Sequence, residues 1–241
     1  MTPSGRAGKG SVTANADRRR GWTGSVAYRL AIFDFDGSLA DSFGWFTGVI
    51  NGLAKRHGFR EIDGPRAEAL RALGSREILA HLGVPLWKLP AIARDMRRLK
   101  AGAAGDIRLF EGVPELLLDL EGRGVAAAIV SSDDEGSVRR TLGPEAARSI
   151  AHFACGAALF GKAPKIGRVL RAAGVPPHRA IYIGDETRDA EAAAEAGVAF
   201  GAVAWGYAAA AALRACQPER FFTRVRDISG IADDDPAPPA A

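Results

Sequence analysis

Short apolar runs alternate with amphipathic stretches over the second half of the chain. The runs "VAAAIVSS" (125–132), "RAIYIGD" (179–185) and "VAFGAVAWG" (198–206) have the length and continuous apolarity of strands buried on both faces. A further strand lies within "IAHFACGAALF" (150–160), and a short last one at "ERFFT" (219–223). Between them, apolar positions recur three and four apart in "VPELLLDLEGRG", "DEGSVRRTLG", "APKIGRVLRAAG" and "TRDAEAAAEAG", which predicts helices. Pro114 falls in the first turn of the first of these, where a missing N–H costs nothing. One more helix is expected near 208–215. Strands alternating with helices imply a parallel sheet covered on both faces, an α/β core of Rossmann-like design.

The first strand, within "YRLAIFDF" (28–35), stands apart from this series. The chain after it is helical for some sixty residues: "FGWFTGVINGLAKRHG", "GPRAEALRALG", "SREILAHLG" and "LWKLPAIARDMRRLKAG", separated by Gly and Pro. The expected organisation is therefore a core of residues 28–41 and 107–228. An all-helical cap domain, 42–106, is inserted after the first strand. Residues 1–27 and 229–241, rich in Gly, Ser, Arg, Pro and Ala, are expected to be disordered tails.

Charge and composition then narrow the picture. The 241 residues carry a net charge of +4, but Arg6, Lys9, Arg18, Arg19, Arg20 and Arg29 stand against Asp17 alone in the first 29. The rest of the chain is close to neutral, so no basic face for nucleic acid is expected. No apolar run reaches membrane-spanning length. The N-terminal stretch has no apolar core of a secretory signal. Cys155 and Cys216 are far apart and outside any zinc spacing, which fits a reducing, cytoplasmic setting.

Ligand sites of open parallel sheets lie at the carboxyl ends of the strands. Asp34, Asp36, Gly37 and Ser38 come after the first strand, and Ser131, Ser132 and Asp133 after "VAAAIV". Lys162 and Lys165 come after the strand in 150–160, and Asp185, Glu186 and Asp189 after "IYIG". Carboxylates beside hydroxyls and a lysine suggest a hard divalent cation and a phosphate. A lone Asp after a strand is usually a cap or turn residue, but that does not account for four such strand ends.

This set, in this order, resembles the haloacid dehalogenase-like superfamily, and its phosphoglycolate-phosphatase-like subgroup with a helical C1-type cap. "DFDGSLADS" is similar to the family's DxDGTLxDS pattern, and "GDETRD" to its acidic GDxxxD motif. The resemblance implies Asp34 as nucleophile, forming an aspartyl-phosphate, and Asp36 as general acid and then base. It implies Mg²⁺ held by Asp34, the Asp36 carbonyl and Asp185, with Asp189 supporting it. Lys162, with Lys165 as competitor, would neutralise the phosphate. Ser132 or Ser131 would bind it, and Gly37 would let the chain turn beside it. The family often has Asn where Asp133 stands. Dehalogenating members generally lack the second Asp, so Asp36 favours phosphate chemistry. The implied function is Mg²⁺-dependent hydrolysis of a small phosphomonoester such as phosphoglycolate. The alternatives are a phosphosugar mutase, a pyrophosphatase or a non-catalytic binding protein.

The remaining polar residues invite plainer readings. Glu186 is read as a solvated first-turn residue, Asp41 as a helix start, and His57, His81, His152 and His178 as surface or packing residues. Arg76 in the cap is the candidate for a substrate anion. Trp87 is read as cap core, and "AWGY" (204–207) either as core and turn or as a loop beside the site.

Overall fold

The structure is a computed structural model. It describes residues 28–103, 105–156 and 161–233, and the expectations for residues 1–27 and for 234–241 lie outside the described residues. Six parallel strands form the central sheet: β1 (Leu30–Phe33), β4 (Ala126–Val130), β5 (Ile150–Ala154), β6 (Ala180–Gly184), β7 (Ala199–Val203) and β8 (Arg220–Phe222). Their spatial order is β5-β4-β1-β6-β7-β8. The chain runs outward from β1 to β5 on one side. It then crosses back and runs from β6 to β8 on the other. The order therefore reverses beside β1 and β6, where doubly wound sheets place their ligands.

Alternation along β1 explains how the sheet is covered. Ala31 and Phe33 face one layer, and Leu30 and Ile32 face the other; all four are fully buried. The first layer holds α5 (Val113–Gly122) and α6 (Glu135–Arg148), packed through Leu117, Leu120 and Val138. The second holds α7 (Ala163–Ala173), α8 (Thr187–Ala196) and α9 (Ala210–Ala215), packed through Ile166, Val169, Ala193 and Leu213. The α6 segment is kinked at Gly143, whose φ of 74° breaks the helix before Pro144. The sequence pattern ends this helix at the same glycine.

Residues 43–102 form four helices: α1 (Phe43–His57), α2 (Gly64–Leu70), α3 (Ser75–Leu82) and α4 (Leu89–Gly102). The two crossings between this helical block and the sheet are paired. β2 (Ala40–Asp41) and β3 (Arg108–Leu109) make a short antiparallel ribbon. Two-residue strands are too short to leave a period in the sequence.

Three expectations need correction. Residues 225–232 form a 3₁₀-helix that buries Ile228 and Ile231, so ordered chain continues past residue 228 and into the expected tail. Trp87 is 77% exposed, because it sits on a 3₁₀ turn, Leu86–Lys88, outside the bundle. Asp41 lies in β2 and is exposed; Ser42 takes the position before α1.

Candidate active site

The carboxyl ends of β1 and β6 bring three acidic side chains together. Asp34 lies just past β1, Asp185 just past β6, and Asp189 in the first turn of α8. All three are buried, and one carboxylate oxygen from each lies within 4.8 Å of the others. Their placement is rigid. The Asp34 N–H donates to the Ile183 carbonyl at 2.8 Å, tying the two strand ends together. Asp185 accepts from Ser38 Oγ and from the Tyr207 N–H, each at 2.8 Å. Asp189 accepts from the Glu186 N–H at 3.0 Å and from the Tyr182 hydroxyl at 3.2 Å.

Lys162 is the counter-charge. Its ammonium, buried at the start of α7, lies 2.6 Å from Asp34 Oδ2 and 2.7 Å from Asp189 Oδ1. Burial alone would lower its pKa, but Asp189 and Asp34 outweigh burial and keep it charged. Burial pushes Asp34 up to about 6, with Lys162 drawing it back and Asp189 adding to the rise. Asp185 is also raised well above the usual range, by burial and then by the charge of Asp34. Burial opposes charge on Asp189 too, yet Lys162 and Arg188 outweigh it and hold this carboxyl low. Two of three acids thus resist ionisation when nothing further compensates them. An all-oxygen, buried, electron-rich donor set of this kind fits a hard divalent cation. Asp34 and Asp185 are the members in need of it, and Asp189 is already engaged by three donors.

A second charged group stands beside the first. Asp36 is half-buried and pairs with the ammonium of Lys100, at the end of α4 in the helical block. The same ammonium pairs with Asp133. Burial pushes Asp133 up to about 7, the charge of Asp36 adds to this, and Lys100 opposes it. Lys100 is absent from the sequence-based set. Nothing in its local sequence marks it, since its partners lie 64 positions before it and 33 after it.

The hydroxyls and lysines divide clearly. Ser132 lines the cavity along with Asp36, whereas Ser131 is buried and its Oγ accepts the Asp133 N–H at 3.1 Å. Lys165 does not join the carboxylates. It donates to the Cys155 carbonyl at the end of β5, one helical turn away from Lys162. Gly37 has φ +76°, and a Cβ there would lie 2.2 Å from Asp185 Oδ2. Gly206 is equally constrained: its Cβ would stand 2.3 Å from Asp185 Cβ. Close backbone approach to Asp185 from both sides thus requires both glycines.

The 204–207 loop borders the site. The Trp205 indole N–H donates to the Ser38 carbonyl at 3.1 Å, and the Tyr207 hydroxyl bonds Ser42 Oγ at 3.0 Å. Arg71 of the helical block reaches down to the same loop and donates to the Gly206 and Tyr207 carbonyls, at 3.0 Å each. Glu186 corrects its sequence reading. It is half-buried, pairs with Arg188, and accepts from Ser75 Oγ of the helical block at 3.2 Å. Arg76, the candidate for a substrate anion, lies on the exposed face of α3 and does not line the cavity. A helix turns about 100° per residue, so Ser75 facing the core carries Arg76 away from it. Of the histidines, His57 is held at 3.0 Å by Asp95, while His81 and His178 are exposed.

A doubly wound sheet with buried carboxylates and a lysine at its switch point, roofed by helices inserted after the first strand, defines a phosphoryl-transfer type of hydrolase fold. A family profile described as haloacid dehalogenase-like hydrolase matches residues 31–203, and the chain belongs to that family. It is similar to the phosphoglycolate phosphatase of Synechococcus elongatus, 31% identical over 198 residues, 82% of this chain and 93% of that one. It is also similar to the N-acetylmuramic acid 6-phosphate phosphatase of Pseudomonas aeruginosa, 26% identical over 74% of this chain and 83% of that one. A haloacid dehalogenase-like hydrolase of Streptococcus pneumoniae shares the fold, with a TM-score of 0.68, 22% identity, and coverage of 84% of this chain and 97% of that one. Within its family the chain is a phosphatase, similar to those that act on phosphoglycolate.

Proposed function

We propose that this phosphatase hydrolyses a small-molecule phosphomonoester in two steps through Asp34, with Mg²⁺ as cofactor. The observation that carries the reading is the pairing of buried Asp34 with Lys162 at 2.6 Å inside the three-carboxylate cluster. A nucleophile that is both buried and anionic needs positive charge on either side of it. Lys162 supplies one side. The cation would be held by Asp34, Asp185 and the Asp36 carbonyl, with Asp189 orienting this shell, and would neutralise phosphate oxygens that otherwise repel the carboxylate.

In the first step an Asp34 oxygen forms a bond to phosphorus and the bond to the leaving oxygen breaks. Asp36, two residues on and open to the cavity, gives its proton to that oxygen. In the second step Asp36 takes a proton from water. The resulting hydroxide attacks phosphorus, inorganic phosphate leaves, and the Asp34 carboxylate is restored. Lys100 lies between Asp36 and Asp133, so Asp133 retains its positive partner while Asp36 is protonated. Ser132 donates to the phosphate at the cavity wall. The helical block covers the centre and excludes bulk water.

Phosphoglycolate is the first ester to test, since the Synechococcus relative carries that name. Phosphate release should require Mg²⁺ and stop with EDTA. Asp34→Asn should reduce turnover to the uncatalysed background while circular dichroism stays unchanged; residual turnover would remove Asp34 from the nucleophile role.

A further inference from the structure

A cavity of about 510 Å³ opens beside the reaction centre, with Asp36 on its lining and Asp34 just behind it, a size that accommodates drug-sized ligands. On the core side it is lined by Asp36, Ser132 and Asp133. Its walls are apolar and come from the helical block: Phe46 and Ile50 of α1, Ile78 and Leu79 of α3, Ile92 and Met96 of α4. All but Ile50 are only half-buried, although they point into the bundle.

The helices thus hold their apolar faces apart. Protein interiors pack as densely as organic crystals, and an unfilled apolar space forfeits dispersion contacts along its whole lining. Water would find few partners on these walls. The polar groups that reach the cavity are largely engaged elsewhere: Arg71 by the Gly206 and Tyr207 carbonyls, Arg188 by Glu186, and Lys100 by Asp36 and Asp133. Arg97 on α4 is the remaining lining cation among the described residues.

We infer that the leaving group is an apolar alcohol or phenol, larger than a two-carbon hydroxy acid, which fills the space between α1, α3 and α4. This rests on the phosphatase reading above and names its substrate class. The phosphate would sit at Asp34 while the organic part extends upward past Asp36 into the block.

The test is phosphate release from methyl, butyl and hexyl phosphate and from phosphoglycolate, with Mg²⁺ and the full chain. The alcohols leave with similar basicity, so the series varies apolar contact alone. kcat/KM should climb about fourfold per methylene, and hexyl phosphate should exceed phosphoglycolate. Ile78→Trp, which narrows the cavity between α1, α3 and α4, should cut the hexyl-to-methyl ratio by at least about tenfold. A flat series overturns the inference and leaves the phosphatase reading standing. So does a preference for phosphoglycolate that disappears in Arg97→Ala. If folded protein releases phosphate from none of the esters, the phosphatase reading falls first, and this inference with it.

Discussion

Each acid at the centre owes its behaviour to its own neighbours. Asp189 receives three donors and stays ionised, while Asp34 and Asp185 receive fewer and are pushed towards the protonated form. For Asp34 and Asp185 the folded pKa is raised. Their stabilising contribution is therefore full below the ordinary carboxylate range and is lost as pH rises through about 6 for Asp34. Asp189, held low, works in the opposite sense, and its contribution fades only as pH falls below the ordinary range. A divalent cation binds the ionised carboxylates and competes with protons. Mg²⁺ should thus raise Tm more at about pH 7.5 than at about pH 5. Thermal melts with and without Mg²⁺ decide it; an equal gain at both pH values would mean that these acids are not the ligands. Asp34, Asp36, Asp185 and Asp189 were legible because a strand end is a local property, and an acid placed there is visible in one dimension. Lys100, Glu186 and the exposed Trp87 were not, since their surroundings are assembled from distant segments.

At the scale of elements, caps and kinks arise directly from residue chemistry. Asp134 accepts from the Ser137 N–H at 2.9 Å and opens α6. Its pKa is lowered, chiefly by the Ser137 hydroxyl. Asp134→Ala should cost about 1 kcal/mol in denaturant unfolding. That loss should shrink as pH falls below the ordinary Asp range, because the cap of the unsubstituted chain weakens as it is protonated. A loss that does not change with pH would point to propensity and not to the cap. The six sheet strands were readable for a similar reason: continuous apolar runs between Gly-ended helices admit one reading. The β2–β3 ribbon was not, because two residues carry no period. The 3₁₀ segment that buries Ile228 and Ile231 runs past the expected boundary at 228, and the Asp- and Pro-rich run that follows it, 233–239, hid the second anchor.

At the scale of the whole molecule, the helical block is tied to the core at separate points. Lys100 reaches Asp36 and Asp133, Arg71 reaches the Gly206–Tyr207 carbonyls and stacks over Phe43 at 5.2 Å, and Ser75 reaches Glu186. A substrate that enters between the two parts must work against these ties or exploit them. Arg71→Ala removes one tie without touching the carboxylates. It should raise KM by about tenfold with a smaller change in kcat, the signature of weakened closure. Steady-state kinetics on any hydrolysed ester give the split, and an unchanged KM would mean that the Arg71 contacts do not report on closure.

From the order of its apolar runs alone, this chain announces a parallel α/β core, a helical insertion after the first strand, and acids at the strand ends. Those features depend on near neighbours in sequence, and burial rewards each of them locally. The meeting of Lys162, and not Lys165, with Asp34 and Asp189, the Lys100 bridge and the apolar cavity came only with folding. Each depends on which distant surfaces meet, and that is a matter of packing between elements and not of pattern within one.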